Sequence, residues 1–400
     1  MTRKGYSVAL GAGTLATLGL AACGASSTAT AQASRTTSAA TTPAATLSPT
    51  PGAAKNARLI AVDESRAANY DVPYVEDIIR DDGMLAVKTT LAPTTQVTGP
   101  FGSGFFTQAD DSAGNVALAS LDSRGQMTTL ATVPHDAFIS AGAAPDGSEW
   151  MILEKGTNGG CGPGRTAKTQ VFMQRAGQDA QLIATLPDDQ PYQVYAWTSL
   201  GVVLTEGNQG CLDLALPANT LPTTIVDPAT GAISPGPSDC VLQAVSVDGT
   251  IACTPKQTAG ASPAPTAAAI RLISRGGANL GIPRSAVGLT DPNTEIGGYA
   301  FSPDGQTLAL SVAGPVGHGT EAATVLLVDT RSGRVQVVMA AARFLVVAGW
   351  LDKARIVAVS SPDQLHSADS GTGAQGTYVY DVTNGAMAKI SALAARAVSS

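Results

Sequence analysis

From about residue 56 onward the chain alternates short runs of β-branched and aliphatic residues with polar, glycine-containing breaks. No amphipathic stretch of helical period persists beyond about ten residues, so the pattern predicts strands joined by turns, with little helix. Two kinds of break recur. One is an Asp-Gly turn between apolar runs: Asp81-Asp82-Gly83-Met84, Pro145-Asp146-Gly147, Val247-Asp248-Gly249 and Pro303-Asp304-Gly305. Its fullest copy spans Tyr299 to Ser311, YAFSPDGQTLALS. Degenerate copies follow Trp197 at Ser199-Leu200-Gly201 and Trp350 at Leu351-Asp352-Lys353. Glycine accepts positive φ and aspartate tolerates it, which suits a tight hairpin.

The second break has a regular spacing. Its glycines are Gly125, Gly177, Gly231, Gly277, Gly333 and Gly385, at intervals of 52, 54, 46, 56 and 52 residues. Each unit reads strand, Asp-Gly turn, strand, long loop, strand, Asp-x-x-Gly turn, strand. Four antiparallel strands in about fifty residues is the mark of a β-propeller blade, and six such units would close a ring. Residues 57–63 (ARLIAVD) read as an extra strand that either pairs with the last blade to close the ring or begins a seventh blade. The expected fold is therefore all-β, a six-bladed propeller of four-stranded antiparallel blades over residues 56–400, with seven blades as the alternative. Over about 75–392 the chain resembles the TolB-like, WD-related propellers, whose blades carry Ser-Pro-Asp-Gly followed by Asp-x-x-Thr-Gly; the likeness is strongest at 295–340. Aspartate and glycine at these turns are read as backbone geometry rather than chemistry, and Trp197 and Trp350, at equivalent places in their units, as core.

The amino terminus has another pattern. Arg3 and Lys4 precede an apolar run from Val8 to Leu20, too short for a permanent membrane span. Leu20-Ala21-Ala22-Cys23-Gly24 then resembles the lipobox of bacterial lipoproteins, which implies a signal peptide over 1–23 and lipidation of Cys23. Residues 24–55 hold no aromatic residue and almost no charge. Such a segment cannot bury enough to offset its chain entropy, and is expected to be a flexible linker spanning about 30 Å. The protein is thus expected to be exported and lipid-anchored on the outer side of the cytoplasmic membrane or in the cell envelope.

Charge narrows the partners. Residues 1–55 contain four basic side chains and no acid, so the remainder carries 20 basic against 31 acidic residues. A nucleic-acid binder needs a basic stripe, and an acidic surface is repelled by anionic lipid. No nucleic-acid partner is expected, and membrane attachment is expected through the N-terminal lipid. Beyond Cys23, four cysteines remain, an even number in an exported chain, which argues for two disulfides. In a propeller, the turns between strands a and b and between c and d lie on one face. The b–c and d–a connections lie on the other. That geometry favours Cys161–Cys211, between loops of consecutive blades, and Cys240–Cys253, across one hairpin with some diagonal reach. The cysteine spacings match no zinc motif.

Catalytic motifs are absent: no Gly-x-Ser-x-Gly elbow, P-loop, His-Glu-x-x-His or EF-hand loop occurs. The acid pairs Asp110-Asp111 and Asp188-Asp189 read as solvated surface. His135, His318 and His366 all fall by the strand alternation on the b–c/d–a face. That face also carries the long connections at 156–168, 206–221, 254–267, 312–323 and 361–376, so it is the candidate binding face. No cofactor or metal is expected. The favoured reading is a binding or scaffold module for a protein or cell-envelope ligand. A solute- or glycan-binding receptor, which an aromatic-lined central funnel would support, and an envelope glycan- or peptide-processing enzyme with a site shared by several blades are the alternatives.

Overall fold

Strands form wherever the apolar runs predict them. The computed structural model describes residues 57–62, 74–80, 85–92, 95–155, 168–186, 192–206, 223–256, 264–289, 295–313, 323–339, 345–360, 376–392 and 394–398. The first blade contains Ala57–Val62, Tyr74–Arg80 and Leu85–Leu91 (β1–β3). The second is Gln96–Phe101, Gly104–Asp110, Asn115–Leu121 and Met127–Pro134 (β4–β7). The third is Phe138–Ala143, Glu149–Lys155, Thr169–Arg175 and Gln181–Thr185 (β8–β11). The fourth is Tyr192–Thr198, Gly201–Glu206, Thr224–Val226 and Ile233–Pro235 (β12–β15). The fifth is Cys240–Val245, Ile251–Pro255, Ala268–Ile273 and Asn279–Pro283 (β16–β19). The sixth is Glu295–Phe301, Thr307–Ala313, Ala323–Asp329 and Val335–Met339 (β20–β23). The seventh is Val346–Asp352, Arg355–Ser360, Gly376–Asp381 and Met387–Ser391 (β24–β27), after which Ala394–Val398 (β28) joins the first blade.

These strands make seven four-stranded sheets, every pairing antiparallel. Six are contiguous in sequence and match the six units counted from the glycine intervals. The seventh is composite: its order is β28-β1-β2-β3, with Leu59 opposite Val398 and Ile60 opposite Ala397. Of the two blade counts the sequence leaves open, the pairings therefore give seven. An interval count misses this blade because its innermost strand comes from the other end of the chain. Asp81–Met84 lies outside the described residues; the strands on either side of it, β2 and β3, are the third and outermost of the first blade, not an inner pair as its Asp-Gly sequence suggests.

The core lies between neighbouring blades. Phe106, Leu118 and Val133 of the second blade pack with Ala141, Trp150 and Ile152 of the third. Met151, Leu153 and Val171 of the third meet Tyr192, Val202 and Leu204 of the fourth. Ile270, Leu272 and Ile282 of the fifth meet Phe301, Leu308 and Leu310 of the sixth. Fully burying side chains of this size contributes roughly 1.5–3 kcal/mol each. Inner strands pack on one another from β4 through β8 to β12 and from β16 through β20 to β24, β12 is bonded to β16 through the Tyr195 hydroxyl and Gln243 O, and β24 and β4 both pack on β28, which closes the ring.

Candidate functional site

The aspartates and glycines that mark the repeat are occupied in building one face. In the c–d turns the Asp side chain accepts hydrogen bonds from the backbone that follows it. Arg124 N–H donates to Asp122 at 2.8 Å, Ala229 N–H to Asp227 at 2.8 Å, Ser332 N–H to Asp329 at 2.7 Å and Thr383 N–H to Asp381 at 2.8 Å. Such donors favour the ionised form: backbone N–H groups hold Asp227 and Asp329 below the usual carboxylate range, and the Thr383 hydroxyl does so for Asp381. The a–b turns interlock from blade to blade. Gly102 N–H donates to Pro145 O at 2.9 Å, and Ser199 N–H to Val247 O at 2.9 Å. A Cβ on Gly147 would lie 3.0 Å from Gly102 N. This face is closed by short, mutually packed turns.

The opposite face carries the b–c and d–a connections. His135 follows β7 there, its Nε2 3.6 Å from an oxygen of Asp110 at the end of β5; both side chains are exposed, so the pair contributes little to stability. Asp111 is engaged in its own turn, accepting from the N–H groups of Ala113 (2.8 Å) and Asn115 (2.9 Å), chiefly the latter of which holds it below the ordinary range. At the same end of the third blade, burial pushes the Glu154 carboxyl up. His318, His366, Cys161, Cys211, Cys23, Asp188 and Asp189 lie outside the described residues, as do nearly all of the long b–c connections. Cys240 and Cys253 form a disulfide with Cα atoms 5.6 Å apart. Cys240 faces Pro255 and Cys253 faces Leu242 in the β16–β17 ladder, so the bridge is diagonal and sits beside a bulge. Among the described residues no three His, Cys, Asp or Glu side chains are grouped to hold a metal ion.

Between the faces runs the central opening, bounded by the innermost strands. Each of these has a bulge at an equivalent place, where the register skips a residue: Thr98 in β4, Ile139 in β8, Tyr195 in β12, Gln243 in β16, Gly297 in β20, Ala348 in β24, which has a second irregularity at Leu351, and Arg396 in β28. The extra residue shifts the alternation of the strand. Val194 and Trp197 consequently share a face and pack on the same core, as do Val347 and Trp350. The two tryptophans do occupy equivalent places, yet Trp350 is buried and donates its indole N–H to Ala300 O at 3.0 Å, whereas Trp197 is only half-buried.

The bulge in β12 also turns Tyr195 outward, with 42% of the residue exposed although its strand is innermost. Its hydroxyl is enclosed and donates to the Gln243 backbone carbonyl at 2.8 Å, and burial pushes it up to about 12. Thr98, Gly297 and Ala348 are exposed at the corresponding positions. Nearer the b–c/d–a mouth, Gln96 and Gln193 are exposed on β4 and β12, and Gln108 Nε2 donates to Gln96 Oε1 at 3.0 Å. Sequence reading missed Tyr195. Strict alternation groups it with Trp197 in the core, and nothing in YQVYAWT signals the bulge that separates them.

No family model matches this sequence, and no curated protein matches it. Solved structures do share its fold. An oligogalacturonate lyase in complex with manganese superposes with a TM-score of 0.50 at 14% identity, over 84% of this chain and 86% of that one. The β-propeller domain of the trilobed protease from Pyrococcus furiosus, described as having an open velcro topology, gives 0.51 at 9% identity, over 84% and 98%. TolB from Acinetobacter baumannii gives 0.40 at 13% identity, over 70% and 65%. The chain has the β-propeller fold; at these identities the likeness concerns the fold alone.

Proposed function

We propose that this protein is an exported, lipid-anchored binding module whose b–c/d–a face and central opening receive a protein or cell-envelope ligand. The observation that carries this reading is the asymmetry of the two faces. Interlocked turns seal one, whereas the other carries the long connections and the mouth lined by Gln96 and Gln193. Strand alternation puts the start of β1 at Ala57 and the end of β28 at Val398 on the sealed face. A tether from Cys23 through residues 24–55 would therefore enter the propeller at the sealed face. The lipobox motif supports the anchor, and the Cys240–Cys253 disulfide is compatible with export. The Cys161–Cys211 bridge belongs to the same proposal, because it would brace two connections of the open face.

Two measurements test it. Mass spectrometry of the mature protein should find diacylglyceryl on Cys23, and Cys23→Ala should move the protein from the membrane to the soluble fraction; a variant that stays equally bound removes the anchor from the proposal. A photo-cross-linker placed at His135 should capture an envelope component that the same group at Arg331, on the sealed face, does not. Capture from Arg331 alone would put the binding surface on the wrong side.

A further inference from the structure

The wall of the central opening carries a chemistry of its own. Among its described side chains, Thr98, Gln96, Gln193 and Gln243 offer hydroxyl and amide groups and Tyr195 an aromatic ring, beside the aliphatic Val241, Val346 and Ala348. None of these is charged at neutral pH, while Arg396 and Glu295 stand on the innermost strands β28 and β20 of the same ring. Tyr195 is also fixed. Its hydroxyl is tied to the backbone of the next blade, so the ring cannot swing away, and its exposed surface is ring rather than hydroxyl. On the far side of the seven-membered ring, three blades on, the equivalent bulge residue is Ala348, and Gly297 stands beside it on β20. These two small residues leave room on that side for a flat ligand, and Arg396 is the bulge residue of the other facing blade.

We infer that Tyr195 is a stacking platform for a pyranose ring, and that the central opening binds a sugar chain. This rests on the proposed placement of the ligand at the opening and names its class. An aromatic face carries partial negative charge and attracts the weakly positive C–H face of a sugar. The surrounding amides and hydroxyls both donate and accept, as sugar hydroxyls require. The ordering of Tyr195 is complete before binding, so little rotamer entropy is lost when the ligand arrives.

The test uses the mature folded protein with gluco-, galacto-, manno-, arabino- and uronate-bearing oligosaccharides of four to six sugars, measured by calorimetry. At least one series is expected to bind saturably. Tyr195→Ala should weaken that binding by about tenfold or more, whereas Tyr195→Phe, which keeps the ring, should stay within about threefold. Ala348→Phe, which fills the opening while leaving Tyr195 in place, should also abolish binding, and it keeps the inference testable if Tyr195→Ala unfolds. Binding untouched by both Tyr195→Ala and Ala348→Phe would overturn it. So would the absence of binding to every one of these chains. If His135 still captures an envelope component in that last case, the sugar assignment fails and the wider proposal stands.

Discussion

Individual aspartates carry the pH behaviour of this domain. Asp227 and Asp329, held down first by backbone N–H donors, and Asp304 and Asp381, held down first by hydroxyls, all have depressed values in the folded state. A group depressed in this way contributes stability that is present above its unfolded value, about 4, and is lost as pH falls through the folded one. The thermal midpoint is therefore expected to be level from about pH 7 to 5 and to fall below about 4. Asparagine can keep the side-chain oxygen that accepts these turn hydrogen bonds but does not titrate. The double variant Asp329→Asn/Asp381→Asn should accordingly show a shallower acid limb in thermal scans between pH 2 and 7. An unchanged limb would mean that these turns do not govern acid unfolding.

At the level of the element, one turn motif is used under different tolerances. Gly177 and Gly231 end equivalent c–d turns with φ of +73° and +70°. A Cβ on Gly177 would meet nothing within 4 Å, whereas one on Gly231 would lie 2.0 Å from the Ile183 carbonyl oxygen of the preceding blade. Gly177→Ala should cost about 1–2 kcal/mol, the strain of a left-handed residue. Gly231→Ala adds displacement of a neighbouring backbone and should cost more than about 3 kcal/mol, read as the difference in chemical unfolding midpoints. Equal losses would show that the blades yield at that contact. The sequence marks both glycines identically, because the turn needs both; which one also touches the next blade depends on packing.

For the whole molecule the decisive element is β28. It supplies the innermost strand of the first blade, between β1 and the inner strands on either side. Removing residues 393–400 leaves that blade with three strands and the ring without its closure. The truncated protein should lose at least about 5 °C in thermal midpoint and become sensitive to protease near β1. A truncation with unchanged midpoint and protease pattern would show that the six contiguous blades hold the ring unaided.

Much of this was legible along the chain. Strand content, antiparallel four-strand units and the two turn types follow from local rules, since apolar alternation and Asp-Gly geometry act over a few residues. The Cys240–Cys253 bridge was within reach because its partners share one hairpin. Three features were decided only in three dimensions. The blade count rests on β28 pairing with β1, a contact between opposite ends of the chain that no interval can reveal. The bulges arise where each inner strand is fitted to its neighbours, and they override the period of two that sequence reading depends on. Tyr195 faces the opening for that reason: the same tyrosine in an unbroken strand would lie on the face of Trp197, and the extra residue in the ladder turns it outward.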